Sequence, residues 1–139
     1  MKRDPRLRDL SSDHHQALVL ARHVSREPEW SAALGEALAA RFEQELEPHF
    51  HIEEELLLPA LRSAGEAELA LRTQREHDTL RSLVRQAAEG SAVAARDFAE
   101  LLTLHVRFEE RQLFPTCETA LNDAELDAVA TRTAERQHS

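Results

Sequence analysis

The chain has one cysteine, no tyrosine, one tryptophan and three glycines in 139 residues. Each scarcity excludes something. A lone thiol, Cys117, cannot form an internal disulfide and fits a reducing compartment, so a cytoplasmic location is expected. With so few glycines there is no phosphate-cradling loop and no nucleophile elbow. No window approaches the roughly 18 apolar residues of a membrane span. No apolar stretch follows the charges of residues 1–8, so no signal peptide is expected. Basic residues are outnumbered, 17 against 26 acidic ones, for a formal charge of −9. That balance supplies no basic patch for nucleic acid and argues against anionic membranes.

What remains is rich in Ala, Leu, Glu and Arg, the composition of a helical protein. The length suits one domain spanning 1–139, large enough for a core. Proline and glycine divide it. Pro28 ends one segment and can start the next. Gly65 and Gly90 close two more, Pro115 interrupts another, and Asn122 with Glu125 three later reads as a helix start. The spacing predicts helices over 11–26, 29–62, 66–88 and 92–119, and a shorter one over 123–136. Short connections make neighbours antiparallel, giving an all-α, up-down-up-down four-helix bundle with a short fifth helix. Residues 1–8 and 137–139 are expected to be loose.

One string occurs twice. His49, Glu53, Glu54 and Pro59 form H-x3-E-E-x4-P, and His105, Glu109, Glu110 and Pro115 repeat it 56 residues later. A His and a Glu four apart share one helix face. Imidazole and carboxylate together suit iron, zinc or manganese. On the second helix His49 shares its stripe with Leu38, Phe42, Leu46, Glu53 and Leu56. On the fourth, His105 aligns with Phe98, Leu101, Phe108 and Glu109. His77 aligns with Ala70, Leu80 and Val84, and His14 with Leu10, Ala17, Leu18 and Ala21. Four helices thus each turn a histidine toward the core. His51 falls about 200° from His49, on the outer face, and His23 and His138 fall off the stripes or in a tail. His15 lies about 100° from His14, so His14 is the preferred inward residue and His15 its rival.

The rival to a metal is a buried Arg–Glu network. Two buried carboxylates without a cation would cost several kcal/mol each, yet these faces hold few arginines, Arg81 beside His77 being the exception. A metal pair would satisfy all six residues together. Glu54 and Glu110 lie about 140° off the ligand faces and read as solvated residues or surface ion pairs, with a supporting role behind the ligands as the alternative. Cys117 reads as a small apolar residue rather than a redox switch.

Asp13-His14, His49-x3-Glu53, Glu76-His77 and His105-x3-Glu109, with Leu58-Pro59 and Phe114-Pro115 trailing, resemble the hemerythrin-like, HHE cation-binding family over nearly the whole chain. The resemblance implies a non-haem di-iron centre, oxo- or hydroxo-bridged, in a four-helix bundle. Carried over by position, His14, His49, His77 and His105 would be imidazole ligands, and Glu53 and Glu109 would bridge two irons; manganese and zinc accept the same ligands. Oxygen-carrying members have a further histidine one turn before the third helix's ligand, where this chain has Thr73. Of twelve octahedral positions, four imidazoles, two bridging carboxylates and one bridge would then fill ten. The spare position favours reaction with oxygen, peroxide or nitric oxide over reversible carriage, unless His15 or Glu76 fills it. The expected partner is such a small molecule, with no protein partner indicated. Alternatives are an enzyme acting on peroxide or nitric oxide, an iron donor in repair of iron centres, and a sensor. Trp30 is the one apolar candidate for a sensor's docking surface.

Overall fold

A computed structural model describes residues 2–137, and His138 lies outside the described residues. Five helices follow one another: α1 (Arg8–Arg26), α2 (32–63), α3 (Ala67–Ala88), α4 (92–120) and α5 (Asp123–Gln137). Among the described residues there is no strand. The first four form the expected bundle, with α4 against α1 and α3, and α2 against α3. The fifth lies across α1 and α2. No helix is long and apolar enough to cross a membrane.

The ends of these helices follow from local chemistry. Ser31 and Ser91 cap α2 and α4 by accepting from the amides of Leu34 (3.2 Å) and Ala94 (3.1 Å). Pro28 therefore does not start α2; the serine three residues on does, because its hydroxyl satisfies an otherwise orphan amide. Asn122 and Glu125 form the reciprocal pair expected of a capping box, at 2.9 and 2.8 Å. Gly65 and Gly90 take φ of 87° and 106°. There the amides of Glu66 and Ser91 reach back to Leu61 (2.8 Å) and Gln86 (3.1 Å), closing both helices in Schellman fashion.

The long helices are not uniform. Three five-residue segments widen to π geometry: Phe42–Leu46, Glu53–Leu57 and Glu109–Leu113. Each begins six residues before a proline, Pro48, Pro59 or Pro115. Proline lacks an amide hydrogen and its ring crowds the carbonyl of the preceding turn, so a widened turn there keeps the helix continuous. Pro115 thus bulges α4 rather than breaking it.

α2 and α3 cross at Gly35, where a Cβ would lie 2.1 Å from the carbonyl oxygen of Ala87. Trp30 donates its indole N–H to that same oxygen (2.9 Å) and is partly buried, so it anchors the crossing rather than offering a docking face. Because backbone and not a flexible side chain blocks the space, Gly35→Ala should force the helices apart. A loss of about 1–3 kcal/mol, read from the denaturation midpoint, is expected. The N-terminal segment, expected to be loose, has Leu7 fully buried.

The core has two apolar layers. One gathers Leu38, Phe42, Phe50, Leu80, Phe98 and Leu102. The other gathers Leu10, Leu57, Leu61, Phe108, Leu113 and Phe114. Leu101, expected inside, is only partly buried at the margin of the first layer. Cys117 is fully buried in the second layer, and its thiol pKa is raised by that burial, as befits an inert apolar residue.

Candidate metal centre

Between the two layers sits a polar cluster. Glu53, Glu109 and His77 are wholly buried, His49 and His105 are 1% exposed, and His14 is 6% exposed. These are the six residues singled out in the sequence, and the fold brings all six together. They form two groups with inward atoms within 4.8 Å of one another: His14, His49, Glu53 and Glu109 in one, Glu53, His77, His105 and Glu109 in the other. His15, His23 and His51 are exposed. Of His14 and His15, it is His14 that is buried within the cluster and His15 that is exposed.

The two glutamates belong to both groups, one oxygen to each. Glu53 Oε2 lies 3.1 Å from His49 Nε2, and its Oε1 lies 3.0 Å from His77 Nε2. Glu109 Oε1 lies 2.8 Å from His14 Nε2, and its Oε2 lies 3.0 Å from His105 Nε2. Within each group the imidazole rings sit side by side, with centroids 5.1 Å apart for His14 and His49 and 5.0 Å for His77 and His105.

These contacts are close but mostly misaligned as hydrogen bonds. Both oxygens of Glu53, Oε2 of Glu109 and the Nε2 atoms of His77 and His105 make none, although all are buried. Orphaned buried polar atoms are costly. Here they converge, which fits two cations with two imidazoles and two carboxylate oxygens apiece. Among the described residues no arginine or lysine pairs with Glu53 or Glu109. Arg81 goes to Glu47 and Glu54 instead, so the Arg–Glu network does not form around the inner carboxylates.

Behind each imidazole stands a carboxylate. His14 Nδ1 is 2.7 Å from Glu110, and His77 Nδ1 is 2.6 Å from Glu54. His49 Nδ1 is 2.8 Å from Asp13, and His105 Nδ1 is 2.6 Å from Glu76. Glu54 and Glu110 are therefore not simply solvated surface groups. Each fixes the ring of a neighbouring helix and leaves the Nε2 lone pair facing inward. The pattern is two-fold: the second glutamate of each repeat serves the histidine of α1 or α3, and the carboxylate before that histidine serves the histidine of the other repeat. The pairings Asp13-His14 and Glu76-His77 were legible as motifs. Their partners were not, because one helix's periodicity does not say what faces its flank.

Neither proposed filler takes the place left by Thr73. Thr73 is buried and donates its hydroxyl to the Leu69 carbonyl (2.8 Å). His15 faces solvent, and Glu76 is bound to His105 and Arg72.

The charges tell the same story. Burial disfavours a protonated His77, but Glu109, Glu53 and Glu54 outweigh it and raise its pKa to about 10. For His105, burial is likewise overcome, by Glu109 and Glu76, raising its pKa to about 9. His14 and His49 also shift upward against burial. Glu109 goes the other way: burial would raise its pKa, but His105, His14 and His49 hold it well below the ordinary range. With no other cation, the inner carboxylates draw protons onto the imidazoles around them.

A four-helix bundle with paired histidines and shared glutamates in its core defines a metal-binding class of site. The match to the hemerythrin HHE cation-binding domain runs over residues 6–117, and the chain belongs to that family. An uncharacterised protein of Mycobacterium bovis is 35% identical over 99 residues, 66% of this chain and 60% of that one. An uncharacterised protein of Mycobacterium tuberculosis matches to the same extent. The aligned stretch thus spans about 60% of the length of these relatives. No solved structure matches.

Proposed function

We propose that the chain holds two iron ions between the histidine pairs, bridged by Glu53 and Glu109, and through them binds or reacts with oxygen or a related small oxidant. The observation that carries this is the sharing of both glutamates between two four-residue groups whose inward atoms lack other partners. Two ferrous ions held by these residues would supply two electrons to one small oxidant.

The protein's own part is to hold and to exclude. Asp13, Glu54, Glu76 and Glu110 fix the rings, so each Nε2 is presented without reorganisation. The two apolar layers keep bulk water from the centre. Stacking adds rigidity: the His77 ring lies on Phe50 at 3.8 Å, with planes 8° apart. Thr73, spent on its own helix, supplies no further ligand, which favours reaction with the oxidant over reversible carriage. Among the described residues the exposed large apolar side chains are scattered, at Leu71, Val93 and Leu104.

Metal analysis of protein purified without chelators tests the reading. Two irons per chain are expected; none, even after anaerobic ferrous loading, would overturn it. Manganese or zinc at the same stoichiometry would keep the site and change the metal. Exposure of the ferrous protein to oxygen, followed by removal of the gas, should leave the visible spectrum of the oxidised state. Full return to the colourless form would instead make the protein a carrier.

A further inference from the structure

The outer carboxylates are themselves held, and by arginines of two origins. Glu54, behind His77, is gripped at both oxygens by Arg81 (2.9 and 3.2 Å). Glu76, behind His105, takes Arg72 at 3.1 Å. Both arginines lie on α3, the helix that carries His77. The other group is backed differently. Glu110, behind His14, meets Arg3 at 3.3 Å and accepts from Ser11 Oγ of α1 at 2.6 Å. Asp13, behind His49, is gripped at both oxygens by Arg136 (2.8 and 3.3 Å). Arg3 precedes α1 and Arg136 lies in the last turn of α5, both outside the stretch matched to the family.

A second observation falls on the same side. A cavity of about 340 Å³ opens where α5 crosses α1 and α2, lined by Asp13, Leu46, Pro48 and Arg136. It ends on the carboxylate that holds His49. Both the segment before α1 and helix α5 are docked on this flank by ion pairs. Arg3 is fastened to Glu118 (2.8 Å) and to the Glu110 carbonyl (2.9 Å). α5 is fastened by Arg6 to Asp123 and Asp127 (3.2 and 3.1 Å), and by Arg132 to Glu55.

We infer that retention of a metal by the His14/His49 group depends on the docking of the segment before α1 and of α5, whereas the His77/His105 group retains its metal without them. Arg3 and Arg136 act as positioning residues. Without them Asp13 turns to water and Glu110 is left with Ser11 alone, so the contacts that aim the His49 and His14 lone pairs loosen. The two metal positions, alike in their inner ligands, then differ in what keeps them filled. The inference rests on the two-metal reading above.

The test is an anaerobic titration of the chelator-stripped full chain with ferrous iron, counting bound metal and resolving the two equivalents. In Arg3→Ala/Arg136→Ala, one equivalent should bind as in the wild type and the other roughly ten- to a hundredfold more weakly. His14→Ala leaves one iron, in the His77/His105 group, and adding the arginine changes should not affect it. His105→Ala leaves the other, and the arginine changes should release it. Helical content of the metal-free proteins checks the fold, and the milder Arg136→Gln should weaken the same single equivalent. A wild type that binds no iron would sink the two-metal reading and this inference with it. A wild type that binds two, with a double variant that keeps both or weakens both alike, would sink this inference alone.

Discussion

Glu109→Ala is expected to empty both metal positions, taking bound iron from two per chain to below one. Its oxygens face His14 on one side and His105 on the other, so its removal takes a ligand from each group. His49→Ala should chiefly unload one group, and His51→Ala, on the exposed face, should keep two irons. Stability reports the same loss. Metal that binds only the folded chain adds about 4 kcal/mol at a thousandfold excess over Kd. For a chain of this size that raises Tm by on the order of 10 °C. The wild type should show this rise on ferrous loading, and Glu109→Ala should not. A Glu109→Ala protein with two irons and the full rise would remove the bridging role.

The second large effect is of pH on the metal-free protein. His77 and His105 have folded pKa values of about 10 and about 9, above the ordinary 6.5. Groups raised in this way stabilise fully below pH 6.5, and the stabilisation disappears as pH climbs through 9 to 10. Glu54, lowered from 4.5 to about 2 by His77 and Arg81 against its burial, contributes above pH 4.5 and is lost as pH falls toward 2. The metal-free protein should therefore be most stable between pH about 4.5 and 6.5, and lose stability steadily above that. Iron binding displaces these protons, so the loaded protein should hold its Tm through neutral and mildly alkaline pH while acid expels the metal. Melting curves of both forms from pH 4 to 10 decide it. A metal-free protein whose Tm rises between pH 7 and 9 would contradict the charge balance in the core.

The inner site was legible because it obeys a single rule. A His and a Glu four apart face the same way on two helices, two others turn in a histidine each, and these four faces must meet in a small bundle. Helix count and order followed from Gly65, Gly90 and the Asn122–Glu125 box. Three features escaped. Ser31 rather than Pro28 opens α2, since a cap needs an acceptor and not only a fixed φ. Glu54 and Glu110 sit on seams between helices, where the partner is an imidazole 23 or 96 residues away. Two of the arginines are more distant still: Arg3 meets Glu110 across 107 residues and Arg136 meets Asp13 across 123. A helical wheel of one segment holds no information about such pairs. The π segments were half visible, as prolines at matched distances from Phe42, Glu53 and Glu109.

Those widened turns set how the chain tolerates insertion and deletion. Each π segment holds roughly one residue more than regular helical winding would need. Deleting one residue within 110–113 would let α4 wind regularly while Cys117 and the entry to α5 keep about their angular phase. The same loss in a regular stretch of α4 would turn everything after it by about 100° and carry Arg136 away from Asp13. A frame-preserving loss of one codon in the widened turn should therefore cost less than one elsewhere in α4, its main penalty being the crowding of Pro115 against the preceding turn.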